Sequence, residues 1–188
     1  EIDKETQDAI KELAPTMAKV SAERIQVELV KLLTSDHPEV MRNLYELGLT
    51  KVFMPEFDTM METPQNNKHH MYSVGEHTIR TLMNVRADKV LRLTMLLHDV
   101  AKPVCITTDE EGQDHFKKHP AVGADMTKQI LRRLKFDNKT IDCCCRLVKE
   151  HDDRPQITPK NVRRAMSRIG AGLFPMLFEV KRADMLGQ

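Results

Sequence analysis

The feature that most narrows what this 188-residue chain can fold into is the spacing of its apolar residues. They recur at helical intervals from end to end, and no run of six or more residues alternates as a half-buried strand would. An essentially all-α architecture follows. Residues 22–35 show the pattern, with Ile25, Leu29, Leu32 and Leu33 on one face and Ser21 placed to cap the start; Glu23, Arg24 and Glu28 then fall on a solvated face. A first amphipathic helix is expected over 6–14, running on toward Val20 past Pro15, and Asp36 with Glu39 has the form of a capping box ahead of the helix that Gly48 stops. Pro55 and Pro64 break 49–70 into short helical turns and loop. Downstream, Ser73 with Glu76 opens a helix and Asp88 caps one that Pro103 ends. Pro120 sits in the first turn of the next, Asn138 caps its successor, Thr158 and Pro159 open another, and the last covers 174–187. The tract 107–118 reads as polar loop. The breaks near residue 66 predict two units, a small helical region over 1–66 and a larger helical bundle over 67–188.

Composition removes several function classes. Aromatic residues make up 4% of the chain and Trp is absent, which argues against a platform for stacking single-stranded nucleic acid. A net charge of +1 advertises no anionic partner, so any basic patch must be local. Cys105 and the run Cys143, Cys144, Cys145 match neither a disulfide framework nor a C-x-x-C metal pair and read as small apolar fillers in a reducing compartment. No apolar run approaches the ~18–20 residues needed to span a bilayer, and no secretory leader pattern opens the chain. A cytoplasmic protein without membrane attachment is expected. The first residue is Glu1 rather than Met, which suggests a piece of a longer protein.

The residues that carry chemistry lie where helices end. "MLLHDVAKP" sets His98 and Asp99 side by side directly after an apolar run, a pair that a buried helix would ordinarily avoid. His77 lies near the start of one expected helix, His119 precedes another, His151 ends a third, and Asp184 lies in the last. Imidazole nitrogen and carboxylate oxygen are ligands for divalent ions, and helix ends from different parts of a bundle can meet at one cavity. Each residue alone is more often a solvated or capping side chain; together they form a candidate metal set. Lys102, one turn beyond His98, and Arg154, just after His151, are candidate contacts to phosphate. His37, His69, His70 and His115 read as cap-region, loop or supporting residues.

The order His77, His98-Asp99, Asp184, in the settings "LLHDVAKP" and "KRADMLG", resembles the HD superfamily of metal-dependent phosphohydrolases. "FKKHPAVGA" with His119 and "VKEHDDRP" with His151 are similar to the further histidines of members that hold two metals. The resemblance implies one ion held by His77, His98, Asp99 and Asp184, with Asp99 bridging to a second held by His119 and His151. It implies one or two divalent ions (Mn, Fe, Ni, Co, Zn or Mg), with Asp99 and Lys102 as catalytic residues. "VSAERIQVELVKLLTSDHPEVMRNLYELGLTKVFMPEF" is similar to the neck and body of class II CCA-adding tRNA nucleotidyltransferases and bacterial poly(A) polymerases. The strand-rich nucleotidyltransferase head of those enzymes, with its Gly-Ser loop and D-x-D carboxylates, has no counterpart in these residues. Nucleotide addition is therefore not expected of residues 1–188. The implied activity is that of a phosphatase, 2′-nucleotidase or 2′,3′-cyclic phosphodiesterase acting on a nucleotide or RNA 3′-end phosphoester, with tRNA as partner of the parent protein. The alternative is a non-catalytic module that positions tRNA. For oligomeric state, a homodimer is the commonest default.

Overall fold

The computed structural model describes residues 2–65, 72–154 and 156–188. Helix α1 (Lys4–Leu13) starts at Asp3, whose carboxylate accepts the Thr6 amide proton at 2.9 Å. It does not run on as an α-helix past Pro15. Residues Ala14–Lys19 tighten into a 3₁₀ helix, because proline brings no N–H to the i→i−4 ladder. Then come α2 (Ala22–Leu33), capped by Ser21 as expected, and α3 (Met41–Glu46), α4 (Thr50–Phe53) and α5 (Pro55–Glu62), the short turns anticipated around Pro55. The Asp36–Glu39 capping box does not form. Pro38 keeps His37 out of the helical region (φ −125°, ψ 59°), a 3₁₀ turn over Pro38–Val40 intervenes, and Glu39 meets the His37 ring at 3.0 Å.

Next comes α6 (Val74–Met83), where the Ser73 hydroxyl accepts the Glu76 amide proton at 3.1 Å. Glu76 does not complete the reciprocal box; its carboxylate accepts two hydrogen bonds from Arg42 at 2.6 and 3.1 Å and ties α6 to α3. Helix α7 (Lys89–Leu97), capped by Asp88, is buried along its whole length from Leu91 onward, and α8 (Lys102–Cys105) follows after one turn. The polar tract expected as loop contains a small antiparallel hairpin, β1 (Thr107–Thr108) with β2 (Asp114–His115), pairing Thr107 with His115 and Thr108 with Asp114. Its turn is built by Asp109, whose side chain accepts the Glu111 and Gln113 amide protons, and by Gly112 at φ 78°.

Helix α9 (His119–Arg133) carries Pro120 in its first turn, and α10 (Asn138–Glu150) follows. The cap of α10 is Asp137, not Asn138: its carboxylate accepts from the Thr140 amide at 2.9 Å and the Thr140 hydroxyl at 2.6 Å. Those two bonds hold the Asp137 carboxyl down at about 2. Because its folded pKa is depressed, the cap contributes fully above the unfolded value near 4 and fades as pH falls toward 2. Asp137→Ala is expected to cost about 1 kcal/mol at neutral pH, and the gap between its urea midpoint and that of the parent chain is expected to narrow below pH 4. The fold closes with α11 (Pro159–Ile169), capped by Thr158, and α12 (Phe174–Leu186).

Helix α7 is the axis of the bundle. Leu91, Leu93, Met95 and Leu96 are completely buried, and around them pack Leu33 of α2, Phe57 and Met60 of α5, Ile79 and Leu82 of α6, Leu131 of α9, Leu147 of α10 and Val180 of α12. One hydrophobic core thus runs from α2 to α12, across the boundary expected near residue 66. Arg92 is the polar exception on α7: its guanidinium donates to the carbonyls of Leu33 at 2.8 Å and Val85 at 3.0 Å, closing the end of α2. No helix among the described residues is long and apolar enough to cross a membrane.

Candidate metal centre

Where α7 stops, its buried axis continues straight into chemistry. His98 is the residue at the C-terminal cap of α7, Asp99 follows it, and both are at most 1% exposed. The other candidates arrive from four further helices: His77 from the first half of α6, His119 as the first residue of α9, His151 at the end of α10 and Asp184 in the last turns of α12, every one buried. The six expected ligand residues are brought together at one place.

Their orientation follows one device. His98 Nδ1 donates to the carbonyl of Met95 at 2.7 Å, His119 Nδ1 to that of Phe116 at 2.7 Å and His151 Nδ1 to that of Val148 at 2.6 Å, each three residues earlier. His77 Nδ1 donates to the Gly187 carbonyl at 3.2 Å. A carbonyl oxygen only accepts, so each Nδ1 carries the proton and each Nε2 turns inward. There the nitrogens crowd: His77 and His98 Nε2 lie 3.3 Å apart, and His119 and His151 Nε2 3.2 Å apart. Neutral rings would set lone pair against lone pair at that distance, an arrangement that calls for a positive charge between them.

The carboxylates divide the cluster in two. Asp99 Oδ1 faces His119 Nε2 at 3.3 Å and His151 Nε2 at 3.6 Å, while Oδ2 faces His98 Nε2 at 3.3 Å and His77 Nε2 at 3.6 Å. Asp184 Oδ1 lies 3.0 Å from His77 Nε2 and 3.7 Å from His98 Nε2. His77, His98 and Asp184 therefore form one group whose donor atoms could hold an ion, and Asp99, His119 and His151 a second. Asp99 Oδ2 is a buried carboxylate oxygen with no hydrogen bond, although Lys102 Nζ pairs with it electrostatically at 2.7 Å. Buried carboxylate oxygens and ring nitrogens crowded inward at 3.2–3.3 Å are the donor chemistry that suits a divalent cation.

Charge in the cluster is balanced internally. Burial opposes ionisation of Asp99, but His98 and Lys102 hold its carboxyl well below the usual carboxylate range. Burial likewise disfavours a charged His98, yet Asp99 and Asp184 outweigh it and push the ring up to about 10. At His151, burial and the nearby His98 charge pull the pKa down. Asp184 stays ionised despite burial because the His77 and His98 rings close on its carboxylate and His98 carries a positive charge. One imidazolium thus sits amid the two carboxylates, in the place that a cation's charge would fill.

Lys102 is buried beside Asp99, with Nζ also donating to Gln65 Oε1 at 2.9 Å; Gln65, 37 residues away, carries no signal of this role in the sequence. Arg154 is exposed and reaches the rim, with Nη2 3.6 Å from Asp184 Oδ2. His115 lies on the hairpin, paired with Asp109 at 2.7 Å, and His37 lies with Glu39, both away from the cluster. His69 and His70 fall outside the described residues. The cysteines are free; burial pushes the Cys144 thiol up to about 12, as befits a core filler.

An all-α bundle whose helix ends converge on His77, His98-Asp99 and Asp184 is the arrangement of the HD domain, and residues 68–184 match the family model of that description: the chain belongs to the HD domain family. Residues 1–61 match a second model, described as the probable RNA and SrmB-binding site of polymerase A. Among curated relatives, the chain is 32% identical over 171 residues to a CC-adding tRNA nucleotidyltransferase of Thermus thermophilus, which spans 87% of this chain and 39% of that protein. It is 34% identical over 169 residues to an A-adding tRNA nucleotidyltransferase of Deinococcus radiodurans, 86% of this chain and 38% of the relative. It is also 25% identical over 174 residues to a multifunctional CCA protein of Actinobacillus pleuropneumoniae, 86% of this chain and 42% of the relative. The chain spans about two fifths of the length of these relatives.

Proposed function

We propose that this chain is a divalent-metal phosphohydrolase module of a tRNA nucleotidyltransferase-like protein, acting as a phosphatase, 2′-nucleotidase or 2′,3′-cyclic phosphodiesterase on a nucleotide or RNA 3′-end phosphoester. The observation that carries this reading is the division of Asp99, one oxygen toward His98 and His77 and the other toward His119 and His151. One or two ions among Mn, Fe, Ni, Co, Zn and Mg held there would supply an activated water and offset the charge of a phosphate under attack. His77, His98, Asp99 and Asp184 would hold the first, and Asp99, His119 and His151 the second. The chain's own residues do the rest. Main-chain carbonyls fix the rings, Lys102 keeps Asp99 ionised through their 2.7 Å pair, and Arg154 stands at the rim to meet non-bridging phosphate oxygens. The N-terminal region would bring the module to tRNA, a role supported by the description matched over 1–61 and by the names of the relatives.

That same match favours a second reading, in which the chain only positions tRNA and the metal centre is idle. A hydrolysis screen separates the two. Wild-type chain is expected to release phosphate from 2′-nucleotides, 2′,3′-cyclic nucleotides or simple phosphate esters with Mn, Ni or Mg, and to lose that activity in excess chelator. Salt-sensitive tRNA binding unaltered in His98→Ala, with no turnover of any ester under saturating metal, would sink the hydrolase and leave the positioning module.

A further inference from the structure

Beside the histidine cluster lies a cavity of about 270 Å³, lined by α11, α12 and the residues Asp153, Arg154, Gln156 and Ile157. That is just under the ~300 Å³ at which drug-sized ligand sites begin, a space for one planar group. Its apolar lining comes from Ile157, Val162, Phe174 and Phe178. Two of the chain's six phenylalanines meet here, edge to face with centroids 4.9 Å apart, and Phe178 remains 57% exposed. A chain this poor in aromatic residues has gathered two of them at the edge of its metal centre.

The cavity and the centre share residues. Arg154 lines the cavity and touches Asp184. On α12, Phe178, Lys181 and Asp184 follow one another at three-residue steps, a rise of about 9 Å along the helix axis from the first to the last. The acids at the cavity wall share one cation: Glu150 and Asp153 both pair with Arg168, at 2.8 and 2.5 Å, and the Asp153 carbonyl accepts from Lys181. Arg154, Arg168 and Lys181 thus outnumber Glu150 and Asp153 in the lining by one charge, and Arg154 carries that balance to the edge of the histidine cluster through its contact with Asp184.

We infer that this cavity is a nucleoside subsite: it takes the base of a nucleotide or RNA 3′ end against Phe178 while Arg154 and Lys181 guide the attached phosphate toward Asp184. The inference rests on the phosphohydrolase reading for where the phosphate goes, and its test is equilibrium binding rather than turnover. Titration of the 188-residue chain with adenosine 3′-phosphate and with inorganic phosphate, each with and without Mn, is expected to show tighter binding of the nucleotide. Stacking one base on an aromatic ring accounts for about 10-fold or more in affinity, and Phe178→Ala is expected to remove that advantage, leaving the nucleotide little better than phosphate. Phe178→Tyr, which keeps the ring, is expected to retain it, so loss of folding cannot mimic the result. Equal affinity for nucleotide and phosphate in the wild type, or a nucleotide preference that survives Phe178→Ala, would overturn the subsite. A chain that prefers the nucleotide through Phe178 yet hydrolyses no ester keeps the subsite and refutes the hydrolase; hydrolysis with no base preference does the reverse.

Discussion

Asp99→Asn is expected to lower metal-dependent ester hydrolysis by about 100-fold or more and to reduce the number of divalent ions bound per chain. The substitution is nearly isosteric, so the change is one of charge and of hydrogens. Asp99 turns one oxygen to each histidine pair, and an amide replaces one of those oxygens with a donor that cannot face a cation. Losing even an outer hydrogen-bonding partner of a metal ligand costs roughly 10–100-fold, and Asp99 would be a ligand to both ions. Without its negative charge the buried Lys102 loses its ion pair and His98 keeps only Asp184, so the metal-free variant is expected to melt below the metal-free parent. Elemental analysis after dialysis against Mn, together with the ester assay, reads both effects. A variant with undiminished metal content and turnover would remove Asp99 from the centre.

Gly75→Ala is expected to destabilise the chain by about 2–3 kcal/mol, the cost of forcing extra volume into a packed contact. A Cβ at Gly75 would meet Met61 Cα and N at 2.7 Å, which is main chain and cannot rotate aside. Helices α5 and α6 must therefore separate. His77 lies two residues on along α6, so the shift would carry its Nε2 away from Asp184 and weaken metal binding as well. In a chain of this length the stability loss corresponds to a drop of roughly 5–10 °C in Tm. Gly172→Ala, where an added methyl meets nothing within 4 Å, is the matched control and is expected to be near neutral. A Gly75→Ala melt within a degree of wild type would show that the two helices are not locked by this approach.

What was legible in the sequence depended on how local its cause is. Ser21, Asp88 and Thr158 cap the helices they were expected to cap, because the bond runs from a side chain to an amide two or three residues on. Pro15 and Pro38 were read less well: both bring 3₁₀ turns, through the missing N–H at Pro15 and the restriction that Pro38 places on His37. Asn138 and Asp137 are both good caps, and only the chain's path selects Asp137. The hairpin around Asp109 and Gly112 had a turn signal but strands of two residues each, too short for alternation to appear. The candidate ligand set was nameable through its resemblance to a known family, since each of its histidines and aspartates alone reads as a solvated or capping side chain. Its geometry was not. The division of Asp99 between two histidine pairs, the Lys102–Gln65 contact and the meeting of Phe178 with Arg154's rim all join residues far apart in the chain.

The core that runs unbroken from α2 to α12 makes the histidine cluster and the N-terminal helices thermodynamically linked. A cation bound to the folded chain and not to the unfolded one stabilises whatever unfolds together with its site, by about 2.7 kcal/mol at a concentration 100 times its dissociation constant. Helices α2 to α5 contribute no candidate ligand, yet through Leu33, Phe57 and Met60 they share the core on which the ligand-bearing helices pack. A cation bound at the cluster would then protect the N-terminal helices against unfolding although they supply none of its candidate ligands.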